Sequence, residues 1–226
     1  MRWVGGRWSL RSDSYRPLKD LVYDYISRKI AQDELSAGDR VPEPMICEAL
    51  GVSRTPVREA LIQLASEGYL ENIPRRGFRV RGISHESARE LYEVIGPLDG
   101  HAAALAVPNL SEEDLRHMRF LLDSMDLAIR SRMLERYDGF QREFHRMYQE
   151  RCGNRRLAQL LEEQDRAFMK PGYSELEPEA VYEVLAKANR EHARMLELFE
   201  SRDATGLEAY VRDVHWSTEN ARYNVW

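Results

Sequence analysis

Between Glu43 and Val80 the chain reads as two short helices joined at a glycine and followed by a basic hairpin, an order that leaves few folds open. Met45, Ile46, Ala49 and Leu50 fall on one face at helical spacing and stop at Gly51, a residue suited to the left-handed turn that ends a helix. Ser53 then stands where an N-cap is needed, and Pro56 falls in the next first turn, where its missing N–H costs little. Val57, Leu61 and Leu64 repeat at i, i+4 and i+7, which predicts a buried stripe. Arg54, Thr55 and Arg58 are left on the solvent side at the helix start. In a helix-turn-helix those positions reach base edges in the major groove. There arginine can take guanine with two hydrogen bonds, and a threonine methyl can pack on thymine. The segment 71–80 carries Arg75, Arg76 and Gly77 between two short strands. It predicts a wing whose arginines suit a narrow minor groove.

The run Gly51, Val52, Ser53, Arg54, Thr55, Pro56, Val57, Arg58, Glu59, Ala60, Leu61, with Leu64, Gly68, Leu70 and the tip at Arg75–Gly77, resembles the winged-helix domain of the gluconate-repressor (GntR) family. The resemblance covers roughly residues 15–82. It implies that Arg54 and Arg58 read bases or grip phosphates, that Ser53 and Thr55 support them, and that Arg76 and Gly77 form the wing tip beside Arg75. It also implies that Arg40 and Glu43 lie where the first helix approaches the DNA backbone. Pro44 departs from the pattern, since several members carry a basic residue there.

Taken whole, the net charge of −5 argues against a nucleic-acid binder. The halves differ, however. Residues 1–83 hold 14 Lys+Arg against 11 Asp+Glu, and the remainder holds 19 against 27. The basic excess therefore travels with the helix-turn-helix, as expected when only one part meets phosphate. At 226 residues the chain can form two small domains with separate cores. It has no apolar run of membrane-spanning length, and its first residues lack a signal peptide's apolar stretch. Cys47 and Cys152 fit no metal spacing and suit free thiols in a reducing cytoplasm.

In chain order, residues 1–14 read as a loose arm. A helix from about Pro17 carries Leu18, Leu21, Val22, Tyr25, Ile26 and Ile30 at three-to-four spacing. Strands are expected at 69–73 and 78–81, with a linker at 82–84. After the linker every segment is helical, which predicts a mainly α chain: a winged helix-turn-helix followed by an all-helical bundle of about six helices over residues 83–226. The first bundle helix, 84–106, is expected to bury Leu91, Val94, Leu98, Ala102 and Leu105 and to kink at Pro97. Ser111 followed by three acidic residues marks the next start. Further helices are expected at 134–152, 156–167, 178–200 and 204–220, with a loop at 169–176.

This second half resembles the all-helical effector-binding (FCD) domain of the fatty-acid-regulator-like branch of the same family. The resemblance rests on Glu90 to Val94 with Leu98 and Asp99, Phe144 with His145, Gly153 with Asn154, Glu191 with His192, and Asp203 ahead of His215. It implies a divalent ion at the bundle centre, held by an aspartate and a histidine one turn apart and by a histidine from each of two later helices. A small carboxylate effector would bind at or beside the ion. His145, His192 and His215 lie on three different helices, and imidazole suits zinc, nickel or iron. The expectation is one divalent ion (zinc, nickel or manganese) on these three residues, or a metal-free pocket that they line together with Gln141. Purely structural histidines are the remaining reading.

Three positions depart from the pattern. Gln141 stands where the family has its aspartate, with Asp138 the nearest acid two turns before His145. His215 comes one residue late after Asp203, which puts Val214 in its place. A one-residue shift on a regular helix turns a side chain by about 100°. Ile95 replaces the pattern's arginine. His85, His101 and His117 read as surface or capping residues. Tyr148, Phe168, Met195, Phe199 and Trp216 read as core residues or as a cavity lining.

The function these features imply is a ligand-responsive transcriptional regulator, a repressor that binds a palindromic double-stranded DNA operator as a homodimer. The alternative is a metal-dependent hydrolase using the His145, His192 and His215 cluster, for which Glu191 is the candidate general base. No serine- or cysteine-based catalytic arrangement has motif support, so the chain reads as a non-enzyme.

Overall fold

The computed structural model describes residues 3–4, 7–8, 17–31, 34–66, 69–165 and 176–224. Phe168 and most of the expected loop at 169–176 lie outside these residues. The chain divides into two compact units, residues 1–82 and 83–226. Within the expected N-terminal arm, strands β1 (Trp3–Val4) and β2 (Arg7–Trp8) pair antiparallel.

In the first unit, α1 (Leu18–Ala31) packs against α3 (Arg54–Ser66) with α2 (Glu43–Leu50) beside them. The core follows the expected stripes: Val22, Ile26 and Ile30 from α1 and Val57, Leu61 and Leu64 from α3 are all fully buried. Two expected core residues fall elsewhere. Leu21 is 37% exposed, and Ala49 lies on the outer face of α2, where only Ile46 is fully covered. An eight-residue helix, little more than two turns long, turns too narrow an arc inward to bury four side chains.

Gly51 ends α2 at φ 65°, and its N–H donates to the Cys47 carbonyl, so the turn is the left-handed one expected. Helix α3 begins at Arg54, directly after Ser53. A three-stranded sheet closes the unit in the order β3 (Arg40–Val41), β5 (Gly77–Val80), β4 (Leu70–Ile73). The β4–β5 hairpin is the expected wing. Strand β3 went unread in the sequence because two residues carry no periodicity.

The second unit is all helical: α4 (His85–Ala106), α5 (Glu112–Arg130), α6 (Leu134–Arg151), α7 (Arg155–Asp165), α8 (Pro178–Glu200) and α9 (Ala204–Tyr210). Its helix starts are written in short polar residues. Ser84 caps α4, Ser111 and Asp114 form a reciprocal capping box on α5, and Asp203 accepts from the Gly206 N–H on α9. Tyr137, Phe144 and Tyr148 from α6, Met195 and Phe199 from α8, and Met118 from α5 form the fully buried centre.

Helix α4 corrects the sequence reading. Val94 is 50% exposed, and Leu91, Leu98 and Leu105 are only half-buried. The inward face is instead Ala88, Tyr92, Ile95, Gly96, Asp99, Gly100, Ala102, Ala103 and Ala106. Small residues win this face because the end of the chain lies against it backbone to backbone. A Cβ on Gly100 would stand 2.7 Å from the Glu208 carbonyl oxygen, and one on Gly96 would stand 3.2 Å from that of Arg212. The helix continues through Pro97.

The glycines therefore differ in kind. Gly100→Ala places a methyl against immovable backbone and is expected to lower stability by about 1–3 kcal/mol despite alanine's helix preference. Gly139→Ala, on α6 with nothing within 4 Å of its Cβ position, is expected to raise it by about 0.5–1 kcal/mol. Urea unfolding midpoints of the two variants check the opposite signs.

Candidate functional site

Two groups of side chains stand out, one in each unit. In the first, β3, the start of α2, the start of α3 and the wing tip surround a groove of about 400 Å³. Arg40, Glu43, Arg54, Arg76 and Gly77 line it, five of the nine residues singled out for DNA. Ser53, Thr55, Arg58 and Arg75 are exposed beside them on the same turn, helix and hairpin. Arg58 reaches Glu43 at 3.6 Å, a solvated ion pair that orients the guanidinium more than it stabilises the fold. At the wing tip the Arg76 N–H closes a turn on the Ile73 carbonyl at 2.9 Å. Pro74 is the second residue of that turn, and Arg75 takes φ 64° as the third. This is the type II pattern, in which the third position favours glycine. An arginine there bears a backbone cost of about 1–2 kcal/mol, which places a cation at the hairpin's outermost point.

In the second unit the three histidines converge. His145 comes from α6, His192 from α8, and His215 from a π-helical turn, Val211–His215, that continues α9. They are 5%, 0% and 9% exposed, and one nitrogen from each lies within 4.8 Å of the others. His145 Nε2 is 3.2 Å from His192 Nε2 and 3.3 Å from His215 Nε2.

The displaced His215 is explained by the π turn. The Trp216 N–H bonds to the Val211 carbonyl five residues back at 2.9 Å, so the turn holds one residue more than an α turn. The extra residue is absorbed locally. Val214 faces out at 41% exposure, and His215 returns to the inner face.

Behind the rings sit two carboxylates. Asp99, fully buried on α4, accepts from Tyr148 Oη at 2.6 Å, Gln149 Nε2 at 2.9 Å and Trp216 Nε1 at 2.8 Å. It also lies 3.3 Å from His145 Nδ1. Burial alone would raise its pKa, but the His145 ring and the hydrogen bonds from Tyr148 and Gln149 bring it down to about 2. Glu191 Oε2 lies 3.1 Å from His215 Nδ1. Burial pushes His192 well below its ordinary pKa, reinforced by its two neighbouring rings, and it also lowers His215. Burial thus favours the neutral form of His192 and of His215.

The donor set fits a metal ion. Tyr148 gives its single hydroxyl proton to Asp99, so at 2.6 Å it must accept one from His145 Nδ1. The Glu191 carboxylate likewise draws a proton onto His215 Nδ1. Both Nε2 atoms are then bare lone pairs 3.3 Å apart, an arrangement that repels unless a cation lies between them. That spacing matches two nitrogens about 2.0–2.1 Å from a shared ion at a near-tetrahedral angle.

Asp99 belonged to the motif that carried the family resemblance, but nothing in the sequence separated it from a helix-face acid. Glu191 was read only against its neighbour His192. It engages the third histidine instead, on the far side of that ring from the converging nitrogens, where it cannot serve as a general base. Gln141 is half-buried, and among the described residues it makes no hydrogen bond to the three rings. Asp138 does not join them either. His85 and His101 are exposed as expected, while His117 is half-buried and reaches Glu143 at 2.9 Å.

A helix-turn-helix with a wing, followed by a helical domain built around three histidines, defines a class of two-part bacterial regulators. Comparison with known proteins agrees. The family model "Bacterial regulatory proteins, gntR family" matches residues 18–80, and the model "FCD domain" matches residues 90–214. The chain belongs to the gntR family of bacterial regulatory proteins and carries an FCD domain. It is 28% identical to the HTH-type transcriptional regulator YdhC of Bacillus subtilis over 62% of this chain and 63% of that one. It therefore spans under two thirds of that relative's length. Over a shorter stretch it is similar to the "Probable D-xylose utilization operon transcriptional repressor" of Paenarthrobacter nicotinovorans, with 41% identity over 39% of each chain. Its fold superposes on the solved structure of Escherichia coli McbR/YncC with a TM-score of 0.72 and 26% identity, covering 88% of this chain and 93% of that one. Among the described residues no helix is long and apolar enough to cross a membrane.

Asp138 supplies a test of the α6 environment. Burial raises its pKa to about 6 against the opposing pull of Arg142, with Glu135 adding to the rise. A carboxyl whose pKa is raised on folding favours the folded state at low pH and loses that contribution as pH climbs through about 6. Asp138→Asn is therefore expected to stabilise the protein at pH 7.5 by on the order of 1–2 kcal/mol. The gain should shrink toward zero near pH 4. Thermal melts across that range check it, and a gain independent of pH would contradict the raised value.

Proposed function

We propose that this protein is a transcriptional repressor that binds a palindromic operator as a homodimer and is released or retained by a small carboxylate metabolite bound in the helical domain. The observation that carries the DNA half is the groove where Arg40, Arg54 and Arg76 converge at the start of α3, with Arg58 one turn along. Arg54 and Arg58 lie at i and i+4, so both guanidinium groups serve one groove of the duplex. In this reading Arg54, Thr55 and Arg58 meet base edges, while Arg40, Ser53, Arg75, Arg76 and the Gly77 backbone follow the phosphates or the minor groove. Glu43 holds Arg58. Two copies related by a two-fold axis would read two half-sites.

The names of its relatives support regulation of transcription, and one of them is called a probable repressor. Selection of fragments from a random DNA pool by the purified protein is expected to enrich an inverted repeat. Arg58→Ala should weaken binding to it by about 1–3 kcal/mol, roughly 5- to 150-fold, and Arg76→Ala should weaken all sequences alike and reduce the salt slope by about one. No enrichment, or an unchanged Arg58→Ala titration at fixed salt, would sink the DNA reading.

For the helical half, the reading is that His145, His192 and His215 hold one divalent ion through Nε2. An all-imidazole set of neutral donors suits zinc or nickel better than manganese, which prefers oxygen. When bound, such an ion supplies a Lewis-acidic position for a carboxylate oxygen. The three rings fix its place, and the surrounding Phe144, Tyr148 and Trp216 keep bulk water away. An effector regulates only if it binds the DNA-competent and incompetent states unequally. Elemental analysis of untagged protein is expected to find about one ion per chain. Adding zinc or nickel to chelator-treated protein at 100 times its dissociation constant should stabilise the protein by about 2.7 kcal/mol. His192→Ala should abolish the effect.

A further inference from the structure

We propose that Asp99 and Glu191 are the positioning residues of this centre: each fixes one histidine with its proton on Nδ1, turning the Nε2 lone pair inward, and together they supply negative charge beside a dication. The inference rests on the metal reading above and goes beyond the three ligands. Neutral imidazole has two tautomers, and the partner at one nitrogen chooses between them. At His145 that partner is the Asp99–Tyr148 pair. The hydroxyl spends its proton on Asp99 Oδ2 at 2.6 Å, so the ring must donate to it, also at 2.6 Å. At His215 it is Glu191 Oε2 at 3.1 Å. Carboxylates behind metal-bound imidazoles orient the ring and raise its basicity.

The rest of the surroundings commits Asp99 to this role. Gln149 Nε2 occupies Oδ1 and Trp216 Nε1 shares Oδ2, so the carboxylate cannot swing away from His145 toward an ion. It acts through the ring alone. The same arrangement accounts for Gln141. A dication among imidazoles is favoured by negative charge nearby, and Asp99 and Glu191, fully and nearly fully buried, supply it, Glu191 also meeting the half-exposed Lys187 ammonium at 3.8 Å. Two carboxylates thus stand behind the rings without an acid at position 141. His192 differs from the other two, because its buried Nδ1 has no hydrogen-bond partner among the described residues. Its tautomer is set by the ion itself, which makes two of the rings preorganised and the third adaptive.

The test uses the full-length chain. Long-range proton–nitrogen correlation spectra of metal-free protein are expected to show His145 and His215 as single Nδ1–H tautomers. Asp99→Asn should mix the tautomers of His145 alone, and Glu191→Gln those of His215 alone. Each variant should bind zinc or nickel 10- to 100-fold more weakly in competition with a chromophoric chelator. A purely structural role for Asp99 would lower the melting temperature and leave the tautomers unmixed, which would overturn the proposal. If Asp99→Asn does not fold, Glu191→Gln tests the same rule at the less enclosed carboxylate. Uptake of either ion with unchanged affinity in the variants refutes the proposal while leaving the metal reading intact. Failure of the wild-type chain to take up zinc or nickel refutes the metal reading and the proposal with it.

Discussion

A carboxylate with no exposed surface must be met by donors on every side, and in the helical unit that demand is made by Asp99. It is answered from two elements at once: Tyr148, Gln149 and His145 come from α6, and Trp216 from the end of the π turn. Removing any one would leave part of a buried charge unpaired, which is among the more damaging changes a core can suffer. Helix α4, helix α6 and the end of the chain are thereby locked to one another at one point. The close approach that makes this possible comes from Gly96 and Gly100, the glycines on either side of Asp99 in the sequence, which admit the backbone of the last helix.

The histidine cluster inherits its geometry from that lock. His145 is held between Asp99 and Tyr148, Trp216 stacks edge-on against both His145 and His215, and Tyr92 braces the indole from α4. Packing and polarity cooperate here. The aromatic wall makes the interior a poor home for a charged imidazolium, which is why His192 and His215 are held neutral, while the carboxylates behind the rings keep their lone pairs aimed. In the first unit the arrangement is the reverse. The arginines of the groove are solvated, and their places are set by backbone turns at Gly51 and at Arg75 rather than by buried partners.

Legibility in the sequence followed how local each feature is. The αL turn at Gly51, the stripe Val57, Leu61, Leu64 and the starts at Ser84 and Ser111 depend on neighbours within one or two turns, and they could be read directly. The three histidines were singled out by the family resemblance, and each falls beside the apolar face of its helix. The face of α4 was misassigned because leucine and valine were weighed above glycine and alanine. What decides that face is the nearness of a second backbone, a property no single-helix pattern contains. Asp99 carried the family resemblance, but its buried role could not be read for a related reason: an acid in a helix is ordinarily a surface residue, and its four partners lie 46 to 117 positions away. Strand β3 was too short to announce itself.

The π turn at Val211–His215 has a meaning for how this domain tolerates change in length. A residue added to a regular helix rotates everything beyond it, so an insertion ahead of a ligand would ordinarily be lethal to the site. Here the surplus residue is taken up within a single wide turn, and the side chains beyond it keep their bearings. Residue counts along the helix are therefore a poor guide to which position serves the centre.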